Sequence, residues 1–173
     1  MKSILITGAA SGIGAALVKK IAAKNISLTL TTKSNSKALE EVSNFAKNKG
    51  AIVNYICGDL SNKVFIKKLV TLGQKQTGII DQFVANAGYA DKKKFGEFSN
   101  SELVKSIETM AISFSDIISL SIDDFKKSKY GRIVSVSSFV NKNIGLNDTI
   151  FPTTAAAKGA LEALTKTLSF QLA

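Results

Sequence analysis

The sequence predicts an α/β fold: a doubly wound parallel sheet with strand order 3-2-1-4-5, covered by helices on both faces. Three observations carry this expectation. Short apolar runs alternate strictly with segments of helical periodicity along the 173 residues. A glycine-rich turn joins the first apolar run to the first helical segment. No linker, internal repeat or low-complexity tract interrupts the alternation. Strands that alternate with helices need crossover connections and therefore a parallel sheet. The length and the 45% hydrophobic content suit one domain over 1–173 with a substantial core.

The elements follow in order. Residues 2–7 form a short apolar run, hence a strand. Ile13, Leu17 and Ile21 recur at helical spacing and place a helix over about 12–24. Residues 26–32, rich in Thr and Leu, make a second strand. A polar helix spans 36–49 with Leu39, Val42 and Phe45 facing inward. Residues 51–57 alternate as a third strand, 64–72 lie on a third helix, and 79–85 form a fourth strand ending at Asn86-Ala87-Gly88. A long helix over about 100–126 carries Leu103, Ile107, Met110, Phe114 and Ile117 at spacings of 4, 3, 4 and 3. Residues 132–137 form a fifth strand. Pro152 opens the last helix, where its missing N–H has no helical acceptor to lose, and Ala157, Leu161, Leu164, Leu168 and Leu172 share one face.

Composition excludes several classes. The formal charge of +10 invites a nucleic-acid or membrane reading, but the basic residues are dispersed and Arg132 is the sole arginine. Arginine, not lysine, supplies planar bidentate recognition of bases and phosphates. The densest run, Lys92-Lys93-Lys94, falls in a predicted loop. No nucleic-acid and no membrane partner is expected, and no segment approaches the roughly 18–20 apolar residues of a membrane span. The N-terminal apolar run stops at Thr7-Gly8 without a cleavage site, so a cytoplasmic location is expected. No histidine is present and Cys57 is the single cysteine, expected to be a buried thiol; no metal site is predicted.

The turn Thr7-Gly8-Ala9-Ala10-Ser11-Gly12-Ile13-Gly14 lies where the first strand gives way to the first helix. Gly8 permits a tight turn, Gly12 lets backbone approach a pyrophosphate, and Gly14 allows close helix–strand packing. The helix N-terminus then offers free N–H groups and a positive dipole end to phosphates. The bland alternative is a glycine turn with no ligand; its place between a strand and an amphipathic helix favours binding.

With three glycines spaced G-x-x-x-G-x-G after a threonine, the chain resembles the short-chain dehydrogenase/reductase family. Four further motifs agree in order: Gly58-Asp59-Leu60, Asn86-Ala87-Gly88, the stretch from Gly131-Arg132-Ile133 to Ser137-Ser138, and Lys158-Gly159-Ala160-Leu161. The resemblance spans essentially the whole chain and implies a Rossmann-like fold with a dinucleotide site. It assigns cofactor contacts to Gly8, Ser11, Gly12, Ile13, Gly14, Asp59 and Leu60 (the adenine side), Asn86, Ala87, Gly88 and Lys158.

Members that prefer NAD carry an acidic residue at the end of strand two. Here that stretch runs Leu28-Thr29-Leu30-Thr31-Thr32-Lys33-Ser34-Asn35, without a carboxylate. Thr32 takes the acidic place and Lys33 follows. An ammonium attracts a 2′-phosphate that a carboxylate would repel. NADP is the expected cofactor, with NAD less favoured.

The family usually works with a tyrosine as proton donor, a lysine that tunes it and holds the nicotinamide ribose, a serine that orients the substrate oxygen, and an asparagine supporting a proton relay. The lysine and serine correspond to Lys158 and Ser138. The tyrosine position, four residues before the lysine, is Thr154; counting forward from Ser138 reaches Phe151 instead, because the intervening stretch is a few residues longer than usual. The asparagine position is Met110. An aliphatic alcohol is a far weaker acid than a phenol near pKa 10, so Thr154 cannot readily replace it. Tyr89, just after Asn86-Ala87-Gly88, is a candidate substitute acid; packing of a loop aromatic on the sheet edge is the plainer reading. The resemblance thus implies an NADP-dependent oxidoreductase acting on a carbonyl or alcohol of a small molecule. The alternative is a cofactor-binding homologue without turnover, acting as a sensor or partner subunit, and on the residues alone the two weigh equally.

Two more expectations concern extent and assembly. Family members usually continue past the last helix, so the C-terminal strands are expected to be missing and the fifth strand's edge uncovered. The family also pairs its long helices across a two-fold axis. A homodimer or tetramer is expected through helices 100–126 and 153–172, with Phe114, Ile118, Leu161 and Leu168 on the shared face.

Overall fold

A computed structural model describes residues 1–143, 145 and 148–173, so part of the long stretch between Ser138 and the last helix lies outside the described residues. Five strands, β1 (Lys2–Thr7), β2 (Ile26–Thr32), β3 (Ile52–Cys57), β4 (Gln82–Ala85) and β5 (Arg132–Ser135), form one sheet in the order β3-β2-β1-β4-β5. Every neighbouring pair is parallel, as the alternation of elements required. The helices are α1 (Gly12–Ile21), α2 (Ser36–Asn48), α3 (Lys63–Gln74), α4 (Asn100–Ile107), α5 (Ser113–Lys127) and α6 (Pro152–Gln171).

The two faces of β1 seed two cores. Leu5 packs with Leu69, Ile80, Phe83, Phe114, Ile117 and Leu161 beneath α3, α5 and α6. Ile4 and Ile6 pack with Val18, Leu28, Leu30 and Leu39 beneath α1 and α2. Leu5, Ile6, Leu28 and Leu30 are completely enclosed, and burial of each contributes about 2 kcal/mol. On β2 the opposite face carries Ser27, Thr29 and Thr31, also buried, whose hydroxyls have no hydrogen-bond partner.

Several elements depart from the sequence expectation for identifiable reasons. β4 starts at Gln82 and not at 79, because the Ile80 N–H donates to the Asp124 carboxylate on α5 (3.1 Å) instead of joining a ladder. β5 ends at Ser135 and not at 137: the Val136 N–H still reaches Ala85 O, but the Val136 carbonyl turns to accept from Lys158. The helix expected over 100–126 is continuous but contains a π turn at Glu108–Ile112, where the Ser113 N–H bonds back to Glu108 O. α1 stops at Ile21.

Four side chains also lie elsewhere than periodicity placed them. Phe45 sits on the flank of α2 with the ammonium groups of Lys19 and Lys49 over its ring, while Ala46 is buried. Leu164 is exposed, because Thr165 turns toward β5 and bonds the Ser135 hydroxyl at 2.9 Å. Ile13 is exposed at the start of α1, and Cys57 is only partly buried at the strand's end. The residues expected on an oligomer face, Phe114, Ile118, Leu161 and Leu168, are buried within the chain's own core. The apolar residues those helices leave exposed are Val104, Ile112, Leu120, Leu164 and Phe170.

Candidate functional site

Parallel strands end together, and the turns that follow them converge at the carboxyl edge of the sheet. There a cleft of about 500 Å³ runs from Gly8, Gly12 and Ile13, past Lys33, Asp59 and Leu60, to Tyr89, Ser138, Thr154 and Lys158. Sequence segments more than a hundred residues apart thus share one wall system. Ser11, Asn86, Ala87 and Gly88 also line it. Gly14 does not, since it packs inward.

The glycines divide their work. Gly8 has φ +67°, and a Cβ there would meet Ala87 Cα and Asn86 Nδ2 at 2.9 Å. A Cβ on Gly14 would stand 2.2 Å from Gly8 O, so α1 can pack against the turn only without a side chain. Gly12, with φ +54°, faces open space. Ser11 stands at the N-cap of α1 but makes no capping bond, and the first turn of the helix holds no acidic residue. The helix N-terminus is therefore open to an anion.

Asn86 and Ala87 brace this turn. Asn86 Nδ2 donates to Thr7 O and Gly8 O at 3.1 and 3.0 Å. The backbone N–H groups of Asn86 and Ala87 both donate to Thr7 Oγ1 at 3.1 Å. The motif after β4 thus locks the glycine turn to the neighbouring strand. Gly88 is needed for another approach: a Cβ there would lie 3.0 Å from Lys158 Nζ and 3.2 Å from Met110 Sδ.

Lys158 is buried, and its Nζ donates to Val136 O at 2.6 Å. Burial pushes its pKa below the ordinary lysine value, and the Val136 oxygen that accepts its hydrogen bond is a neutral carbonyl. Thr154, one turn earlier on α6, has its hydroxyl engaged on both sides. It accepts from the Asp91 N–H at 3.0 Å and donates to Tyr89 O at 3.3 Å. Ser138 accepts from the Val140 N–H through its Oγ at 3.4 Å. The neighbouring Ser137 hydroxyl donates to Glu162 at 2.5 Å. The Tyr89 hydroxyl pairs with the Ser106 hydroxyl of α4 at 2.9 Å, and the residue lines the cleft. Met110 is buried within the π turn, and the adjacent Thr109 is the residue that reaches the cleft wall.

At the far end, Asp59 Oδ2 pairs with Lys33 at 3.2 Å and Lys105 at 2.9 Å. Partial burial alone would raise this carboxyl. Hydrogen bonds from the Ser61 backbone, Lys105, the Ser61 hydroxyl and Lys33 outweigh that and hold it well below the usual carboxylate range. Sequence reasoning missed Thr109 and Lys105: Thr109 reaches the cleft wall from within the π turn, and long-range packing brings Lys105 to Asp59. No His, Cys, Asp or Glu cluster fit for a metal occurs among the described residues. No helix among them is long and apolar enough to cross a membrane.

Comparison with known proteins covers nearly the whole chain. The family model described as short chain dehydrogenase matches residues 2–173. An uncharacterized oxidoreductase of Staphylococcus saprophyticus is 24% identical over 172 residues, 99% of this chain and 72% of that protein. A short chain dehydrogenase of Burkholderia cenocepacia, solved in complex with NADP, superposes with a TM-score of 0.90 at 23% identity, covering 99% of this chain and 68% of the other. An NAD+-bound xylitol dehydrogenase gives a TM-score of 0.86 at 22% identity, covering 99% of this chain and 65% of the other. Across four curated relatives the chain spans 49% to 72% of their lengths.

Proposed function

Because this chain belongs to the short chain dehydrogenase family, we propose that its cleft holds a nicotinamide dinucleotide, NADP in preference to NAD, for oxidation–reduction of a carbonyl or alcohol on a small molecule. The observation that carries this reading is the continuity of the cleft from the open Gly12 turn to Ser138 and Lys158. The residues fit the group. Space at Gly12 and the uncapped N-terminus of α1 suit a pyrophosphate, with the Ser11 hydroxyl beside it. Asp59 and Leu60 flank the adenine end, and Asn86, Ala87 and Gly88 form the wall between the two halves. Lys158 holds the nicotinamide ribose and Ser138 orients the substrate oxygen. When bound, the dinucleotide supplies the hydride chemistry; the chain's own residues bind, orient and exclude water.

Solved structures of this fold hold either dinucleotide, so the choice rests on this chain's residues. Residues 28–35 contain no carboxylate, and Lys33 stands at the cleft. A 2′-phosphate meets an ammonium there. Titration of NADPH and NADH by nicotinamide fluorescence tests both parts. Tighter NADPH binding is expected, weakened by Lys33→Glu. Equal affinities remove the NADP preference, and binding of neither removes the reading.

A second reading, cofactor binding without turnover, is favoured by Thr154, whose hydroxyl is committed to the 89–91 loop. NADPH binding with no NADPH oxidation across a carbonyl panel would select it. A homodimer or tetramer through helices 100–126 and 153–172 is also proposed, now by way of the exposed Ile112, Leu120 and Leu164. Light scattering at micromolar concentration tests it, and a strictly monomeric mass excludes it.

A further inference from the structure

The two oxygens of Asp59 are filled from different sides. Oδ1 accepts both the Ser61 N–H and the Ser61 hydroxyl at 2.9 Å. Oδ2 faces two ammonium groups, Lys105 at 2.9 Å and Lys33 at 3.2 Å. These lysines are held unequally. Lys105 projects from α4, and its Nζ donates to the Ser61 hydroxyl as well as to Asp59. Its side chain is 37% exposed, against 66% for Lys33. Lys33 hangs from the turn after β2, and its Nζ has the single ion-pair partner Asp59 among the described residues. Lys33 and Asp59 line the cleft, whereas Lys105 is not among its lining residues.

The count of charges decides what Lys33 is free to do. One lysine against one carboxylate cancels, and a lone Lys33 would be occupied by Asp59. Two lysines leave one positive charge over, and the more exposed, singly bonded Lys33 is the one that can leave. Asp59 keeps its charge through the neutral range, because its hydrogen bonds hold the carboxyl well below the usual carboxylate range, so an ammonium beside it is favoured.

We propose that Lys105 is a positioning residue for dinucleotide preference: by holding Asp59 neutralised, it releases Lys33 to meet a 2′-phosphate at the mouth of the cleft. This rests on the dinucleotide reading above. Without Lys105, Asp59 retains Lys33, and a carboxylate faces the incoming phosphate dianion.

The test is the ratio of NADPH to NADH affinity, measured by nicotinamide fluorescence in the unaltered protein, Lys105→Met, Lys105→Arg and Lys105→Met/Asp59→Asn. Lys105→Met is expected to lower the ratio about fivefold at low ionic strength, with the effect shrinking in high salt. Lys105→Arg keeps the ratio. Asp59→Asn restores it in the Lys105→Met background, because no carboxylate is left to neutralise; a merely structural role for Lys105 predicts no such rescue. An unchanged ratio in Lys105→Met, or equal loss of both nucleotides, overturns the proposal. If Lys105→Met does not fold, Asp59→Asn alone decides: NADPH preference is kept or strengthened, and its loss overturns the proposal. If the unaltered protein binds neither nucleotide, the cofactor reading itself falls and takes this inference with it; if it binds both and only the variants disagree, the inference falls alone.

Discussion

The hydroxyl of Thr154 donates to the backbone carbonyl of Tyr89 at 3.3 Å and accepts from the Asp91 N–H at 3.0 Å. At this position, which we propose corresponds to the family's proton-donating phenol, a short side chain ties α6 to the loop after β4.

Thr154→Tyr is therefore expected to raise carbonyl reduction by part of the roughly 10²–10⁴-fold that acid–base assistance supplies. Full recovery is not expected, because Met110, at the proposed relay-asparagine position, is buried and carries no amide. The tether is lost as well, at a cost of about 1 kcal/mol. Steady-state NADPH oxidation, together with the melting temperature, measures both effects. A rate unchanged by the new phenol would show that position 154 is not the proton-transfer position.

Tyr89→Phe separates the competing acid. If the Tyr89 phenol moves the proton, activity exists before any repair and disappears in Tyr89→Phe. If its hydroxyl only pairs with Ser106, the variant loses about 1 kcal/mol of stability and no activity. The second outcome is expected, read by comparing kcat with urea denaturation.

Lys158 makes the folded protein sensitive to alkaline pH. Its folded pKa lies below the ordinary value of 10.5, through desolvation. The folded state thus binds this proton less well than the unfolded chain. The group costs stability below its folded pKa, and the cost fades as pH rises from that value toward 10.5. Lys158→Met is expected to stabilise the fold at pH 7 by on the order of 1 kcal/mol. The gain should be smaller near the upper end of that window, measured as urea midpoints at both pH values. An equal gain at both would mean that charge burial is not the cause.

Gly14→Ala and Gly12→Ala should fail differently. At Gly14 the new Cβ lies 2.2 Å from Gly8 O, so backbone must move, at about 1–3 kcal/mol. At Gly12 nothing crowds the Cβ, but φ of +54° costs a side chain about 1–2 kcal/mol. The methyl at Gly12 also projects toward the cleft and should weaken NADPH binding more than it lowers the melting temperature. Parallel thermal melts and NADPH titrations check the contrast.

Thr29→Val should stabilise. Thr29 is completely buried and its hydroxyl has no partner. Valine has nearly the same shape without the desolvated oxygen, a gain of about 1 kcal/mol. A melting temperature that falls instead would mean that the hydroxyl is satisfied in solution.

The order of elements, the all-parallel sheet and most of the cleft were legible in the sequence, because each depends on local pattern. Apolar runs of strand length, the π-independent periodicity of Phe114 and Ile117, and glycines at G-x-x-x-G-x-G spacing are short-range signals. They fix which turns end at the carboxyl edge, and Gly8, Asp59, Gly88, Ser138 and Lys158 come together there by topology alone. Periodicity failed at Phe45 and Leu164, where a helix turned a neighbouring residue inward.

What only the tertiary structure decided is how side chains distant in sequence share partners. The Thr154 hydroxyl is used up by a loop 63 and 65 residues away, Lys158 takes the Val136 carbonyl and so ends β5, and Lys105 reaches 46 residues back to Asp59. Residue types and spacing determine which chemical groups the chain owns and which edge of the sheet they reach. Whether a hydroxyl, an ammonium or a carboxylate is free once there depends on what else lies within about 3 Å, and hydrogen bonds and ion pairs at that range are set by packing between elements, which local sequence does not encode.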